Sequence, residues 1–380
     1  VRPGRVPAFL FALSSLLSPA TGRAAPEAPA PPPLAAKAWL LIDHDSGEVL
    51  AAHDADAPLP VASLTKLMTG YVFFERIRAG ALKPGDRVTV SERAATGNGA
   101  RLFLRAGEVA TVEDLLRGML VRSANDATRA LVDHAGGERQ IVETMNRKAH
   151  ALGLSRSIYV NSTGLDAEGQ VSSAADIARL AGRLLRDFPE SYRLFALKEF
   201  RHNGIPQYNR NALLWRDESV DGVKTGHTRA AGYCLVASAR RGAMRLTAVV
   251  LGARDEAGRV EGAQRLFDYG FRQFETRLLY AADTPAARVR VWMGDRDVLP
   301  LGLAGNLYLT LPRGAHERLR ARLSVSDTQF APIRRGQSVG TLRLELGEQL
   351  HSTHPLIALT DVGAGNLWQR ALDQIQFWLQ

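Results

Sequence analysis

The sequence predicts an α/β (α+β) domain built on an antiparallel sheet, followed by a small all-β sandwich domain. Between residues 36 and 276, apolar helical patterns alternate with short strands that arrive in adjacent runs. Beyond residue 284 the texture turns to period-two alternation. A chain of 380 residues, 46% of them hydrophobic, is long enough to bury a core in each of two domains.

Residues 1–24 read as a signal peptide: Arg2 and Arg5, an apolar run from Val6 to Leu17, then small residues around Ala20 and Ala24. That run is too short to span a bilayer, which argues against a retained anchor. Residues 25–35 are Ala/Pro-rich, resist helix and sheet, and suit an extended linker. Residues 36–276 form the first domain. Trp39–Asp43 and Glu48–Ala52 flank Ser46-Gly47 as a hairpin. Val220–Thr228, Tyr233–Ala239 and Arg245–Leu251 read as three more strands joined by short turns.

Residues 285–362 form the β-sandwich domain, with strand patterns at Ala287–Val291, Leu307–Leu311, Leu319–Leu323 and Leu342–Leu346. Residues 365–380 form an amphipathic helix. Its apolar face carries Leu367, Trp368, Ala371, Leu372, Ile375, Trp378 and Leu379, suited either to a membrane interface or to docking on the β domain.

A net charge of +9 favours an anionic partner, but the cations are spread along the chain and no nucleic-acid module is present. The single cysteine, Cys234, excludes an intramolecular disulfide and lies in an apolar strand pattern, where a packed thiol is expected.

Three short motifs carry chemistry. Ser63-Leu-Thr-Lys66 follows Pro58 and Pro60 and opens an apolar helix that runs to Arg78. Residues three apart share a helix face, so the Lys66 amine can sit beside the Ser63 hydroxyl. Burial disfavours an ammonium, which would let Lys66 act as the base for Ser63. Alone the motif is weak, since about one Ser-x-x-Lys match is expected by chance in such a chain. Ser123-Ala-Asn125 follows the helical pattern Val112–Val121, where a turn would present a hydroxyl for proton relay and an amide for a peptide. Taken singly it is a capping turn. Lys224-Thr-Gly226 sits in an apolar strand. There the lysine can hold a carboxylate and lower the pKa of Lys66 by repulsion. Thr225 offers a hydroxyl, and Gly226 permits a substrate backbone to come close. An edge-strand lysine that resists aggregation would look the same.

The order Ser-x-x-Lys, Ser-x-Asn, Lys-Thr-Gly is the signature set of penicillin-binding proteins and serine β-lactamases. With Pro60-Val-Ala-Ser-Leu-Thr-Lys66, Asn125-Asp-Ala127, Gly164-Leu-Asp166, Asn209-Arg-Asn211, Asp221–Thr228 and Ala231-Gly-Tyr233, the chain resembles the low-molecular-mass penicillin-binding proteins. These are serine-type D-alanyl-D-alanine carboxypeptidases of the penicillin-binding protein 5 class. The resemblance implies a β-lactamase/transpeptidase-like first domain that trims the terminal D-alanine from peptidoglycan stem peptides, with no metal or organic cofactor and with β-lactams as covalent inhibitors. Residue by residue it implies that Ser63 is acylated, Lys66 is its base, and Ser123 with Lys224 handles a proton. Asn125, Thr225 and Gly226 would bind substrate, the backbone N–H groups of Ser63 and His227 would form an oxyanion hole, and Arg259 would face the terminal carboxylate. Without the resemblance Arg259 reads as a surface charge, and the His227 imidazole as a general-base candidate. The resemblance also implies the periplasm, at the outer face of the inner membrane, and a role in cell-wall maturation and cell shape. In this chain the loop Ala95–Ala100 is shorter than in the best-known members, and the C-terminal helix is shorter and less basic.

Two further patterns carry no chemistry. Gly336-Gln-Ser-Val-Gly340 matches a nucleophile elbow, but a strand pattern follows where that device needs a helix. His351-Ser-Thr-His354 lacks the glutamate of a helical zinc motif and, ahead of Pro355, reads as a loop. A class A β-lactamase shares the three motifs but needs a deacylating glutamate. Glu143 and Glu168 are the nearby candidates, and neither has the Glu-x-x-Leu-Asn context. A catalytically silent scaffold is the remaining rival, against which the joint presence of Ser63 and Lys66 counts.

Overall fold

The structure is a computed structural model that describes residues 28–326 and 328–378; the expected signal peptide and the start of the linker lie outside the described residues. The first domain is centred on a five-stranded antiparallel sheet. Its order is Val49–His53, Ala38–Asp43, Met244–Ala253, Gly232–Arg241, Val220–Thr228. Strands consecutive in sequence pair as hairpins, while the N-terminal pair joins the sheet from the far end of the chain, so the sheet is closed by residues some 200 positions apart.

Both faces of the sheet are covered. One packs on the helix Glu256–Gln273 through Val250, Leu235, Leu266 and Phe267. The other packs on a helical layer whose centre is Lys66–Arg78, buried without a break from Lys66 to Phe74. A helix apolar all round its first turns has no solvent face, as its sequence requires. Around it lie Asn125–His134, Glu138–Ala151 and Ala174–Asp187. Ser173 caps the last of these, its hydroxyl accepting from the Asp176 N–H.

Residues 28–34 form neither helix nor strand, as their prolines dictate. They are nevertheless not a free tether. Ala28 and Leu34 pack against the core beside Glu256–Gln273, and Tyr269 Oη donates to the Pro29 carbonyl at 2.9 Å. Proline and alanine cover apolar surface even where they cannot make secondary structure.

The second domain pairs Phe274–Tyr280 with Leu307–Pro312 and builds a five-stranded antiparallel sheet in the order Ala287–Arg290, Val298–Gly302, Gln349–Ala358, Ser338–Leu346, Leu319–Val325. Two small apolar cores fill it, one around Leu342, Leu344 and Leu356, the other around Val291, Leu299 and Ile333. Polar contacts tie it to the first domain: Thr276 Oγ1 donates to buried Asp43 Oδ2 at 2.7 Å, and Ser46 Oγ lies 2.6 Å from Thr310 Oγ1.

Two sequence expectations change here. His351–His354 is not a loop but part of the strand Gln349–Ala358. Pro355 is tolerated because that strand meets Val298–Gly302 only at Ile357 and Ala358, leaving the proline's other edge unpaired. The C-terminal helix, Leu367–Trp378, does dock on the β domain, but by its polar side. Asp373 Oδ2 accepts from the Met293 N–H at 2.5 Å, and Gln376 accepts from Arg290 at 2.7 Å. Phe377 packs edge-on against Trp292 and Phe330. The apolar face is left outward, with Trp368 81% and Trp378 80% exposed.

Candidate active site

Ser63 lies in a 3₁₀ turn, Ala62–Thr65, that leads directly into Lys66–Arg78. The tight turn places Ser63 half-buried at the mouth of the cleft and Lys66 on the cleft floor, with no exposed surface. Lys66 Nζ has three oxygen neighbours: Ser63 Oγ at 3.0 Å, Asn125 Oδ1 at 2.7 Å and the Thr163 carbonyl at 2.5 Å. An amide oxygen and a carbonyl can only accept, so they take two N–H bonds. A neutral amine then keeps one lone pair, and the remaining neighbour, Ser63 Oγ, is the one that can donate to it. Burial, reinforced by repulsion from Arg129 and Arg210, lowers the Lys66 pKa to about 7. The neutral form is therefore accessible near neutral pH.

Asn125 is fixed from both ends: its Oδ1 accepts from Lys66 while its Nδ2 donates to the Asn98 carbonyl at 2.7 Å. It begins the helix Asn125–His134, and the residues before it form one π-turn, Gly118–Arg122, that ends the preceding helix Val112–Arg117. Ser123 takes the left-handed conformation there, with φ of 64°. A π-turn followed by a left-handed residue is an interruption of the kind found at functional sites. It turns the Ser123 hydroxyl onto Lys224, whose Nζ donates to it at 2.8 Å and to the Thr225 carbonyl at 2.9 Å.

Lys224 lies on the edge strand Val220–Thr228, yet it is 2% exposed and faces the cleft instead of guarding an edge. Burial lowers its pKa well below the usual lysine range, and repulsion from Lys66, Arg210 and Arg259 adds to this. As expected, the two buried lysines repel each other, and burial and the neighbouring arginines depress both. Gly226 sits against the turn that carries Ser63. A Cβ there would stand 2.8 Å from the Val61 carbonyl and 3.1 Å from Ser63 N. The glycine lets the strand reach the nucleophile's own turn. Gly164 abuts the same turn from the other side, with φ of +82° and a Cβ position 2.0 Å from the Ala62 carbonyl.

Thr225, Gly226, His227 and Arg259 line the cleft with Ser63, Ser123 and Asn125. The His227 side chain is exposed and its ring lies 4.1 Å from that of Tyr233. Arg259 is no surface charge. It is 2% exposed on the helix Glu256–Gln273, and its Nη1 donates to the Gly226 carbonyl at 3.2 Å. The structure therefore brings all nine sequence-selected residues together.

The family described as D-alanyl-D-alanine carboxypeptidase matches residues 25–255, well over half of the chain. The chain belongs to that family. These carboxypeptidases are serine hydrolases, and the Ser63–Lys66 pair is the arrangement such chemistry needs. Residues 274–364 match the C-terminal domain of penicillin-binding protein 5. D-alanyl-D-alanine carboxypeptidase DacA of Escherichia coli K12 is 41% identical over 357 residues, which are 92% of this chain and 89% of that protein. Penicillin-binding protein 5 from Haemophilus influenzae aligns with a TM-score of 0.83 at 37% identity, over 88% of this chain and 99% of that one. Penicillin-binding protein D2 from Listeria monocytogenes, solved with ampicillin bound, aligns with a TM-score of 0.59 at 31% identity, over 63% of this chain and 98% of that one.

Sequence reasoning gave no role to three participants in this carboxypeptidase cleft. Thr163 acts through its backbone carbonyl, which side-chain identity does not reveal. Arg210 lines the cleft and Arg129 adds charge near Lys66. Arg210 stood inside Asn209-Arg-Asn211, a match already noted, and that was its only signal.

Proposed function

We propose that this carboxypeptidase removes the terminal D-alanine of peptidoglycan stem peptides through an ester on Ser63. Neutral Lys66 takes the hydroxyl proton as Ser63 Oγ bonds to the penultimate D-alanine carbonyl carbon. The backbone N–H groups of Ser63 and His227 hold the oxyanion. As the C–N bond breaks, the departing amine takes a proton through Ser123, which Lys224 supplies. Asn125 binds the peptide amide, and Thr225 and Arg259 with Lys224 hold the terminal carboxylate. Water then hydrolyses the ester, giving a proton back to Lys224 through Ser123 while Lys66 returns its proton to Ser63 Oγ. The observation that carries this reading is the set of three oxygens around Lys66 Nζ, which leaves its lone pair for Ser63. A β-lactam presents a reactive amide to the same groups and would acylate Ser63.

The reading extends to an exported protein of the periplasm, acting in cell-wall maturation and cell shape at the outer face of the inner membrane. The outward apolar face of Leu367–Trp378 supports a peripheral membrane contact. Among the described residues no helix is long and apolar enough to cross a membrane.

The test is D-alanine release from a pentapeptide ending in D-Ala-D-Ala, with penicillin hydrolysis assayed in parallel. Release that disappears in Ser63→Ala, with only slow penicillin turnover, is expected. Rapid penicillin turnover without release would mean a β-lactamase, and neither activity would mean a silent scaffold.

A further inference from the structure

The catalytic cleft lies beside Val220–Thr228, one edge of the five-stranded sheet. At the other edge, four strand spacings or about 19 Å away, a groove of about 510 Å³ opens between Ala38–Asp43, Val49–His53 and the helix Ala174–Asp187. Among the described residues, none lines both spaces. The groove exists because the helical layer stops short of the outer strand. The helix buries Ile177, Leu180 and Leu184 in the core and turns Ala175, Ala178 and Gly182 to the groove. Such short side chains leave the floor open, with Val49 51% exposed beside Leu40 and Ile42.

Charge is unevenly placed along this groove. Ala175 and Arg186 stand about 16 Å apart along the helix axis. At the Ala175 end the wall is Ala55, whose carbonyl accepts from Ala175 N at 2.9 Å. Toward the other end come Arg179, Arg183 and Arg186. Arg179 donates to the Gly153 carbonyl, and Arg183 Nε lies 3.0 Å from Asp187 Oδ2. Arg186 is exposed and has no carboxylate partner among the described residues. His44 packs on the helix where a Cβ at Gly182 would stand 3.4 Å from its Nδ1. Burial lowers the His44 pKa, so the ring adds no charge at neutral pH. Two carboxylates also line the groove. Asp43 is fully buried and bonds through its two oxygens to Ser46 and Thr276, and exposed Asp56 follows Ala55 at the end away from Arg186. An apolar floor in a groove of this size, with guanidinium groups at one end, matches a ligand that has an apolar stem and a single anionic head.

We propose that this groove binds a single-tailed anionic amphiphile, with its carboxylate or phosphate head on Arg186 and Arg183 and its stem along Val49, Ile42 and Leu40. The proposal goes beyond the hydrolysis at Ser63 and does not depend on it, since groove and cleft lie at opposite edges of the sheet. Burial of the stem drives binding, and a charge-assisted bond to guanidinium fixes its direction in the groove. The outward apolar face of Leu367–Trp378 is the competing surface for such a molecule.

The experiment is calorimetric titration of the full chain with decyl phosphate and with decanoate, each below its micelle concentration, against decanol and inorganic phosphate. One molecule of either amphiphile should bind per chain, at least tenfold tighter than decanol, while inorganic phosphate gives no binding at the same concentration. Binding of either head supports the site, and the tighter one identifies the head group. Arg186→Glu and Val49→Glu, both at exposed positions, should each weaken binding tenfold or more, with urea unfolding midpoints like that of the wild type. The double variant Trp368→Ser with Trp378→Ser should stay within twofold, and so should Arg259→Gln in the cleft. Absence of binding by both amphiphiles, or binding untouched by Arg186→Glu and Val49→Glu, would overturn the site. Binding lost with the tryptophan pair or with Arg259→Gln would place the amphiphile on the C-terminal helix or in the cleft and overturn it equally. None of these readouts uses hydrolysis, so failure of the carboxypeptidase reading leaves the outcome intact.

Discussion

The two domains handle charge in opposite ways. Among the described residues the first buries Lys66, Lys224, Arg259, Asp126 and Asp176, whereas beyond residue 284 the buried polar side chains are Thr310 and His316. Buried charge is costly, and a hydrophobic replacement of similar size is often no less stable. The first domain accepts that cost where Ser63 must meet an uncharged amine. The second has no such demand and is held by two small apolar cores. Buried charge marks chemistry at Lys66 and Lys224, whereas at Asp43 and Asp176 it ties the domains together and sits in a helix cap.

The sharpest way to break that contrast is to remove the buried amine. Lys66→Met should lower the acylation rate of Ser63 by about a thousandfold or more, because loss of the group placed to take the proton raises the barrier by about 4 kcal/mol. Single-turnover acylation by a penicillin measures it. The pH dependence follows from the same group. Its pKa falls from the model-peptide value of 10.5 to about 7 on folding, so acylation by the wild type should rise as pH passes through about 7. Between about 7 and 10.5 the unfolded chain binds the proton that the folded one has lost. Wild-type stability should therefore climb relative to Lys66→Met over that window and be at its relative lowest below it. Urea unfolding of both proteins at pH 6 and pH 9.5 checks the sign.

The opposite test strikes the support. Leu344→Ala empties part of the core around Leu342 and Leu356 and should cost about 2–5 kcal/mol in the second domain. It should leave kcat/KM on the pentapeptide within twofold. A parallel loss of activity would mean that the β domain shapes the cleft.

The smallest effect tests how the first domain holds its lysine. Glu138 accepts from Ser162 N at 2.6 Å and from Ser162 Oγ at 3.0 Å, and the next carbonyl, that of Thr163, accepts from Lys66. Glu138 is thus a positioning residue. Glu138→Ala should lower kcat about tenfold, a barrier change of about 1.4 kcal/mol, with KM unchanged, and Glu138→Gln should recover part of it. Equal changes in kcat for both variants would reduce Glu138 to an ordinary stabilising contact.

The same contrast governs what the sequence made legible. In the second domain period-two alternation located the strands, because each shows one face to a core. It did not locate Val298–Gly302, where Pro300 and Gly302 break the pattern, nor Gln349–Ala358, where His351–His354 ahead of Pro355 read as a loop, and it did not show which side of Leu367–Trp378 would meet the protein. Amphipathicity says that two faces differ, but Asp373 and Gln376 found hydrogen-bond partners on the β domain and so took the inward side. In the first domain Ser63, Lys66, Ser123, Asn125 and Lys224 were legible because reactive side chains recur in short fixed spacings. Arg259 needed the resemblance, since one arginine on a helix carries no periodic signal. The Thr163 carbonyl and the approach of Gly226 to Ser63 were not legible, because both are backbone contacts between residues far apart in sequence.

The central claim is that Ser63 is the residue acylated, and intact-protein mass spectrometry after brief incubation with a penicillin tests it most directly. The account predicts a gain of one penicillin mass, mapped by peptide analysis to the segment holding Ser63 and absent from Ser63→Ala. An adduct that persists in Ser63→Ala, or none on the wild type, would contradict it.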